Sequence, residues 1–437
     1  QRLQQRLRRR QFRRRRSQRK LVNRAELGAP VSVLRFDPIP YPIWRRRMPG
    51  WLRTASRPLL RRWLPVEADE HPPDSPQAVT AYLRRWGLAG EDSLPDEKWP
   101  LPETVPDAEP RSAPDGRVRL PAQWEPVEAV ILAWPVLYPA LWDGHAQMVS
   151  ALSPVTQVVI IVPAPGWSDA ISRFLAATMR LTPGIRFLHL PTDDIWVRDY
   201  GPLVGYGPDG GRVCVKPVFD PLPHYPQARD NRMARRWAAF ADIPVRALDL
   251  HLEGGNIWTD GAGTLIVSEQ IFHSNPYLSR ADVEAKLRAV FDFHKLIVTP
   301  RLKREETGHV DLVVRLADAQ TVLVGAPGVF YNGGQQRAAA DLFRRETNAA
   351  GLPYRVIELP APPPYLNWGV YPIWRSYTNA LTVNGRVLVP AFGIPDDRRA
   401  LAIYRAAMPG YEIIPINCRA SVNGGGAVHC LTRDILA

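Results

Sequence analysis

Residues 380–416 read ALTVNGRVLVPAFGIPDDRRALAIYRAAMPGYEIIPI, and their apolar pattern decides the fold class. Two apolar runs flank Asn384-Gly385, a dipeptide typical of a tight β-hairpin turn. Residues 396–407 then show the 3.6-residue apolar period of an amphipathic helix, and YEIIPI at 411–416 is typical of a further strand. A hairpin followed by a helix and a strand predicts an α/β unit whose strands cannot all be parallel.

Similar alternation extends from about residue 118 to the end of the chain. Strand-like runs lie at 129–134, 156–163, 185–190, 245–250, 264–269, 309–316, 321–325 and 427–432, and helix-like stretches lie at 139–152, 167–180, 279–293 and 335–350. Asp260-Gly261 is a second hairpin signal. We therefore expect one mixed α/β domain over residues 118–437.

The first 117 residues differ in composition from the rest of the 437-residue chain. The net charge of +13 divides into +18 over residues 1–65, −7 over 66–117 and +2 over 118–437. The first 117 residues also hold 16 of the 45 prolines. Because proline removes backbone donors and like charges repel, we expect residues 1–117 to form a basic, mostly irregular N-terminal extension.

Two interpretations of this extension stay open. It could be an arm that binds nucleic acid, an anionic membrane surface or an acidic protein partner. It could equally be a solvated linker or leader, since its aromatic residues lie beside prolines and do not form a stacking platform.

Composition and motifs exclude several classes. No run approaches the roughly 18 apolar residues of a membrane-spanning helix, so we expect no membrane span. Three cysteines cannot form a disulfide framework, and this sparse use with no visible apolar leader favours a cytoplasmic protein. Residues 205–210, GYGPDG, fit G-x-G-x-x-G, but Pro208 and the strand-like run after it indicate a turn and not a dinucleotide site. No phosphate-binding P-loop is present.

Four polar clusters interrupt the apolar pattern. They are DDIWVRDYGP at 193–202, LEGGNI at 252–257, TGHVDL at 307–312 and VNGGGAVHCL at 422–431. His309 and Asp311 are two residues apart on a predicted strand, so both side chains should point to one face. The alternative is a surface-facing pair on an edge strand.

Cys430 follows three glycines, which allow the backbone to bend tightly and approach other groups. A lone cysteine can also be a small buried hydrophobe, which is how we interpret Cys214 and Cys418. A reactive cysteine needs its thiolate form and a proton-transfer partner, which His309 could supply. Residues 422–431 are therefore a candidate nucleophile segment.

The accompanying carboxylates indicate the charge of the substrate. Asp199, Glu253 and Asp311 suit a planar guanidinium, whose forked N–H donors match carboxylates bidentately, and Trp196 could stack on that plane. A metal site is the alternative, with His309, Asp311, His429 and Cys430 as ligands. Their spacing matches no standard zinc pattern, so we expect neither metal nor cofactor.

Taken in order, the four clusters resemble those of the agmatine deiminase and Porphyromonas-type peptidylarginine deiminase family of the pentein superfamily. The resemblance runs from about Leu120 to Leu431, and the N-terminal extension lies outside it. It implies a five-bladed α/β propeller of ββαβ-like repeats around a central substrate channel. It also implies that the chain hydrolyses a guanidinium group.

The resemblance assigns a role to individual residues. Cys430 matches the nucleophile that forms a thiouronium intermediate, and His309 matches the general acid and base. Asp199 and Asp311 match the carboxylates that hold the guanidinium, and Glu253 supports the substrate and the histidine. The residues expected to bind the substrate are Trp196, Arg198 and Asn379, the last resembling an asparagine of the peptidylarginine branch.

The substrate tail is less determined than the chemistry. Agmatine deiminases usually read G-G-G-N-I-H-C, whereas this chain has Ala427 and Val428 before His429. The resemblance favours agmatine, converted to N-carbamoylputrescine and ammonia; the alternative is peptidyl or free arginine, converted to citrulline. A hypothesis of another class is a polyanion-binding protein with a relic propeller. The sequence leaves the oligomeric state open.

Overall fold

A computed structural model describes residues 75–88, 101–136, 138–178, 180–219, 227–305, 307–328, 332–367 and 371–437. The helices are α1 Pro76–Arg85, α2 Trp142–Leu152, α3 Gly166–Ala177, α4 Val197–Tyr200, α5 Ala228–Phe240, α6 Gln270–Ser274, α7 Arg280–Val290, α8 Gly333–Arg345 and α9 Asp396–Ala407. Short 3-10 turns lie at Pro139–Leu141, Gly254–Asn256, Val310–Leu312 and Ser421–Gly424.

The strands are short. They are β1 Glu103–Thr104, β2 Val127–Ala133, β3 Gln157–Val162, β4 Ile185–His189, β5 Leu203–Tyr206, β6 Arg212–Val218, β7 Val245–His251, β8 Trp258–Thr259, β9 Thr264–Ser268, β10 Lys295–Thr299, β11 Val314–Leu316, β12 Thr321–Gly325, β13 Arg355–Leu359, β14 Tyr365–Asn367, β15 Tyr371–Ile373, β16 Leu381–Val383, β17 Arg386–Ala391, β18 Glu412–Asn417 and β19 Arg433–Leu436. Together with the helices they confirm the mixed α/β class.

The predicted unit at 380–416 is confirmed. β16 and β17 form an antiparallel hairpin, and β18 lies parallel to β17 after the return through α9. Asn384 and Gly385 turn the hairpin with φ angles of 42° and 83°, which are left-handed values typical of a two-residue turn. Asn384 also accepts a hydrogen bond from the Val127 N–H, 2.9 Å away, and so joins this sheet to β2.

Five of the sheets in the described residues share this order of connections. In each, an antiparallel pair is followed by a helix and by a strand parallel to the second member of the pair. Four are continuous in sequence: β5–β6–β7, β8–β9–β10, β11–β12–β13 and β16–β17–β18. In the fifth, the C-terminal strand β19 pairs antiparallel with β2, which is followed by β3, β4 and β1. The two ends of residues 118–437 therefore meet in one sheet.

In the four sheets that are continuous in sequence, the second strand of the pair forms the centre of the sheet. All five residues of β12 are buried, as are four of the six in β17. Strands with both faces covered need continuous apolar runs and not alternating ones. β9 is an example, since all five residues of its run TLIVS are buried.

The GYGPDG stretch at 205–210 and the Asp260-Gly261 signal both lie in hairpins. Residues 207–211 connect the antiparallel strands β5 and β6, which confirms the predicted turn. Residues 260–263 connect β8 to β9. The Asp260 carboxylate accepts the Ala262 and Thr264 N–H groups, each at 2.9 Å, and so closes the second turn.

The predicted strand at 309–316 is wrong in part, and the predicted strand at 427–432 is wrong. Residues 309–316 form a 3-10 turn at Val310–Leu312 before the short strand β11, and residues 427–432 form turns before β19. The first departure has a local cause, because side chains from elsewhere bind this backbone: Asn256 accepts the Val310 N–H and Thr378 donates to the Asp311 carbonyl. The apolar pattern cannot report such bonds.

The described parts of the N-terminal extension pack on the rest of the chain. Ser75 caps α1 by accepting the Ala78 N–H at 3.2 Å, and Val79 and Leu83 of that helix are buried. β1 adds a parallel strand beside β4. Residues 1–74 and 89–100, including the arginine runs, lie outside the described residues, and the boundary at 117/118 stays a prediction.

Candidate active site

Six of the predicted site residues come from equivalent places in the five sheets. Each lies in the segment just before the first strand of a sheet: Asp199 before β5, Glu253 before β8, His309 and Asp311 before β11, Asn379 before β16 and Cys430 before β19. The repeated connection thus delivers one polar segment from every sheet to the same point.

His309 lies between two carboxylates. Its Nδ1 is 3.5 Å from Asp199 Oδ1, and its Nε2 is 3.6 Å from Glu253 Oε2. The Gly255 N–H donates to Asp199 Oδ1 at 3.0 Å. A Cβ at Gly255 would lie 2.6 Å from His309 Nδ1 and 2.7 Å from Asp199 Oδ1. Only glycine therefore permits this close packing of backbone, imidazole and carboxylate.

The buried charged groups of the site shift one another's pKa values. Burial alone would lower the pKa of His309, but attraction to Asp199, Glu253 and Asp311 outweighs it and raises the pKa to about 10. Burial raises the pKa of Asp199 to about 6 and that of Asp311 to about 7, with His309 opposing both shifts. At neutral pH His309 is therefore a protonated imidazolium, a potential proton donor.

Asn379 connects the cysteine to the carboxylate of Asp311. Its Nδ2 lies 3.0 Å from Cys430 Sγ and 3.0 Å from Asp311 Oδ2. Its Oδ1 accepts the N–H groups of Ala427 and Cys430 at 3.2 and 3.3 Å. Burial, together with the charges of Asp311 and Asp199, holds the pKa of the Cys430 thiol well above its usual range. A cation bound among these carboxylates would offset that effect.

The two oxygens of Asp311 are not equivalent. Oδ2 accepts from Asn379 and from His429 Nδ1, the latter at 2.7 Å. Oδ1 is buried and receives no hydrogen bond from any residue that the structure describes. A buried carboxylate oxygen without a donor is costly, so Oδ1 is suited to accept an N–H from a bound molecule.

His429 is a site residue that the sequence identified only as a metal ligand. Its ring stacks on Trp258 with centroids 4.9 Å apart and an interplanar angle of 16°. Burial, with the nearby charges of Arg198, Arg315, Arg433 and His309, holds its pKa well below the usual range. The ring is therefore neutral, and its proton lies on Nδ1, facing Asp311. The feature of the sequence that could have identified His429 as a site residue is its position beside Cys430.

Trp196 lies beside the cysteine, whereas Arg198 faces elsewhere. A Cβ at Gly426 would lie 2.4 Å from Trp196 Cζ3 and 2.9 Å from Cys430 Cβ, so the indole packs over this glycine. The Arg198 guanidinium binds the His429 carbonyl at 3.2 Å and Asp434 at 2.6 Å. Arg198 is thus the predicted site residue whose side chain the structure does not bring to the carboxylate cluster.

The other two cysteines lie in the interior. Cys214 in β6 and Cys418 after β18 are buried, and burial raises the pKa of each thiol to about 12. A search of the described residues finds no group of three or more His, Cys, Asp and Glu side chains arranged to hold a metal ion. None of the described helices is both long and apolar enough to cross a membrane.

Comparison with known proteins identifies a family and several relatives. The Porphyromonas-type peptidyl-arginine deiminase family matches residues 119–435. An agmatine deiminase of Pseudomonas aeruginosa is 30% identical over 372 residues, which is 75% of this chain and 97% of that protein. One of Pseudomonas fluorescens is 30% identical over 355 residues, covering 72% of this chain and 94% of the relative.

Solved structures share the fold. The agmatine deiminase of Enterococcus faecalis superposes with a TM-score of 0.67 at 23% identity, covering 75% of this chain and 99% of that one. A cysteine-to-serine variant of the C. jejuni agmatine deiminase with substrate bound gives a TM-score of 0.65 at 19% identity, covering 73% and 96%.

Proposed function

The chain belongs to the Porphyromonas-type peptidyl-arginine deiminase family and is a deiminase of guanidino groups, and we propose that its substrate is agmatine and its nucleophile Cys430. The reaction is hydrolysis of the guanidinium to a ureido group, which gives N-carbamoylputrescine and ammonia. The observation that carries the proposal is the buried Asp311 Oδ1, which receives no hydrogen bond from any described residue, beside a buried thiol.

This geometry selects a cation that donates hydrogen bonds. Asp199 and Asp311 are close enough to His309 to shift its pKa, and Cys430 Sγ lies 3.7 Å from Asp311 Oδ2. A guanidinium bound between these carboxylates places its carbon near sulfur, as general nucleophilic catalysis requires. Its positive charge also lowers the pKa of the thiol, so the substrate promotes formation of the thiolate.

The residues then divide the chemistry between them. The Cys430 thiolate attacks the guanidinium carbon and forms a C–S bond. His309 donates its proton to one nitrogen, which leaves as ammonia and breaks a C–N bond, and an S-alkylthiouronium remains. Neutral His309 next takes a proton from water as the water oxygen bonds to the same carbon. Breaking the C–S bond returns the electron pair to sulfur as the free Cys430 thiolate, and the hydroxyl proton passes to solvent, which leaves the ureido product.

The choice of agmatine rests on the relatives at 30% identity, which are named agmatine deiminases. Deimination of arginine in peptides is the second candidate, since the family that matches residues 119–435 is described by that activity. Both substrates present the same guanidinium to the same side chains, so only an assay separates them.

We also infer that the five sheets with the common connection order surround the site as the blades of an α/β propeller. Support comes from the pairing of β19 with β2, which joins the chain end to the first sheet. Further support comes from the location of the site residues before β5, β8, β11, β16 and β19.

The test is ammonia release from agmatine, free arginine and an arginine-containing peptide. We expect release from agmatine, abolished by Cys430→Ala and retained by the matched control Cys214→Ala. Release from the peptide alone would assign the chain to protein deimination. Silence on all three substrates would favour the relic, polyanion-binding hypothesis, and activity in Cys430→Ala would refute the cysteine mechanism.

A further inference from the structure

A cavity lies against His429, the residue whose Nδ1 contacts the Asp311 carboxylate. Its volume is about 60 Å³, and its polar lining comes from Gln123, Arg198, Thr259, His429, Arg433 and Asp434. A site of this size holds a few water molecules or one small ion with water. No residue assigned to the deimination chemistry in the proposed mechanism lines it.

Two buried arginines supply more charge than the lining neutralises. The side chains of Arg198 and Arg433 are each 5% or less exposed. Asp434 is the carboxylate of the lining, and its Oδ1 lies 2.6 Å from Arg198 Nη2. One guanidinium is therefore paired by direct contact and the other is not.

The guanidinium of Arg433 is the one that is not in direct contact with Asp434. Its Nε donates to the Pro202 carbonyl at 2.7 Å, whereas neither terminal nitrogen is hydrogen-bonded to the part of the chain that the structure describes. Nη1 lies over Gly254, where a Cβ would be 3.0 Å from it. Buried charges are normally paired, so these N–H groups are suited to a ligand outside the chain.

A third buried arginine lies near the cavity. Arg315 is fully buried, with its guanidinium carbon 5.9 Å from the ring centroid of Trp258, another lining residue. Burial and the Arg198 charge lower the pKa of Arg433 to about 10, against attraction from Asp434 and Asp199. Asp311, the site carboxylate that His429 contacts, is hydrogen-bonded to His429 and Asn379. Water could accept the free N–H groups of Arg433 but carries no charge to pair with its guanidinium.

We propose that this cavity binds one small inorganic anion, of halide or nitrate size, between the guanidinium groups of Arg198 and Arg433. The anion supplies the negative charge that Asp434 alone does not. This site goes beyond the proposed deimination, and its occupancy can be measured without substrate.

The decisive experiment is anomalous diffraction from crystals of the full chain grown in sodium bromide. We expect a bromine peak between the two guanidinium groups. Ordered water at this position with no anomalous signal would overturn the proposal, and this arm needs no variant protein.

A solution measurement separates a real site from an adventitious ion. Tm is compared in chloride, bromide or nitrate against gluconate at equal ionic strength. We expect a saturable rise in Tm with the small anions that Arg433→Gln abolishes, that the surface control Arg344→Gln retains, and that Asp434→Asn strengthens because it removes the competing charge. Crystal density without this anion-specific rise would indicate an adventitious ion only and would overturn the proposal.

Discussion

At the scale of single residues, the Asp311 carboxylate has two oxygens with different tasks. Oδ2 is held by His429 and Asn379, which fixes the plane of the carboxylate, and Oδ1, which receives no hydrogen bond from the described residues, accepts from the substrate in the proposed mechanism. Two donors on one oxygen therefore prepare the other for binding before substrate arrives, which lowers the reorganisation needed in the transition state.

Replacing this carboxylate tests its role directly. We expect Asp311→Asn to raise KM and lower kcat together, with kcat/KM reduced by about 100-fold or more, because removing one partner of a buried charge pair costs about 3 kcal/mol or more. Steady-state kinetics on agmatine make the measurement, with the exposed Asp318→Asn as control. An unchanged kcat would make Asp311 structural only.

The contact of His429 with Asp311 predicts that two substitutions of His429 reduce activity to different extents. His429→Gln keeps an N–H that can reach Asp311, whereas His429→Leu has none. We expect the glutamine variant to retain clearly more activity, and the leucine variant to move the acid limb of the pH profile upward, since the carboxylate loses a donor that favours its ionised form. Equal activity and equal profiles in the two variants would contradict this role.

The pH profile of kcat/KM should be bell-shaped. Asp199 and Asp311 must be ionised to hold the guanidinium, and burial raises their pKa values to about 6 and about 7, so kcat/KM falls as the pH drops below about 7. His309 must be protonated to release ammonia, and its pKa is raised to about 10, so activity declines above that pH. A profile that stays flat between pH 5 and 7 would refute the carboxylate assignment.

At the scale of elements, the site residues are held by short turns and not by strands. The 3-10 turn Gly254–Asn256 brings a backbone N–H to Asp199, and the turn Val310–Leu312 carries Asp311. Asn256 joins the two turns with the sheet, since its Oδ1 accepts the Ser268 N–H at 2.9 Å and the Val310 N–H at 3.2 Å. The turns are therefore rigid supports for the site.

A methyl group added at Gly255, in the turn Gly254–Asn256, should disturb the site more than the fold. In Gly255→Ala the new Cβ would lie 2.6 Å from His309 Nδ1, so we expect a loss of kcat of at least about tenfold from displaced catalytic groups. The control is Gly334→Ala in α8, where no atom lies within 4 Å of the added carbon. Kinetics together with circular dichroism separate the effects. A fully active Gly255→Ala would show that the site tolerates this displacement.

At the scale of the whole molecule, part of the N-terminal extension is built into the fold. Leu83 of α1 is fully buried, and the Tyr82 hydroxyl donates to the Val136 carbonyl at 2.8 Å. Farther along, the Ala113 N–H donates to the Val245 carbonyl at 2.9 Å. A chain shortened at the compositional boundary loses all of these contacts.

Two truncations should therefore behave differently. Removal of residues 1–74 should preserve deimination and Tm while abolishing any salt-dependent binding to polyanions. Removal of residues 1–117 should lower Tm by several degrees, because burial of each large apolar side chain contributes about 1.5–3 kcal/mol. Thermal unfolding followed by circular dichroism measures both. Equal Tm values would show that α1 and β1 do not stabilise the domain.

The sequence by itself determined the alternation of strands and helices, the Asn384-Gly385 and Asp260-Gly261 turns, and the residue types of the site. These features are local, since they depend on apolar period and on backbone preferences of neighbouring residues. The same locality explains the failure at 309–316, where bonds from Asn256 and Thr378 replace the expected strand.

Tertiary structure alone decided how those residues work together. Asp311 meets Asn379 across 68 residues of sequence and His429 across 118, and both contacts fall on Oδ2, so Oδ1 receives no hydrogen bond from the described residues. The turning of Arg198 toward Asp434 likewise depends on β19 pairing with β2. Contacts between distant segments are set by packing and burial of charge, which no window of the sequence contains.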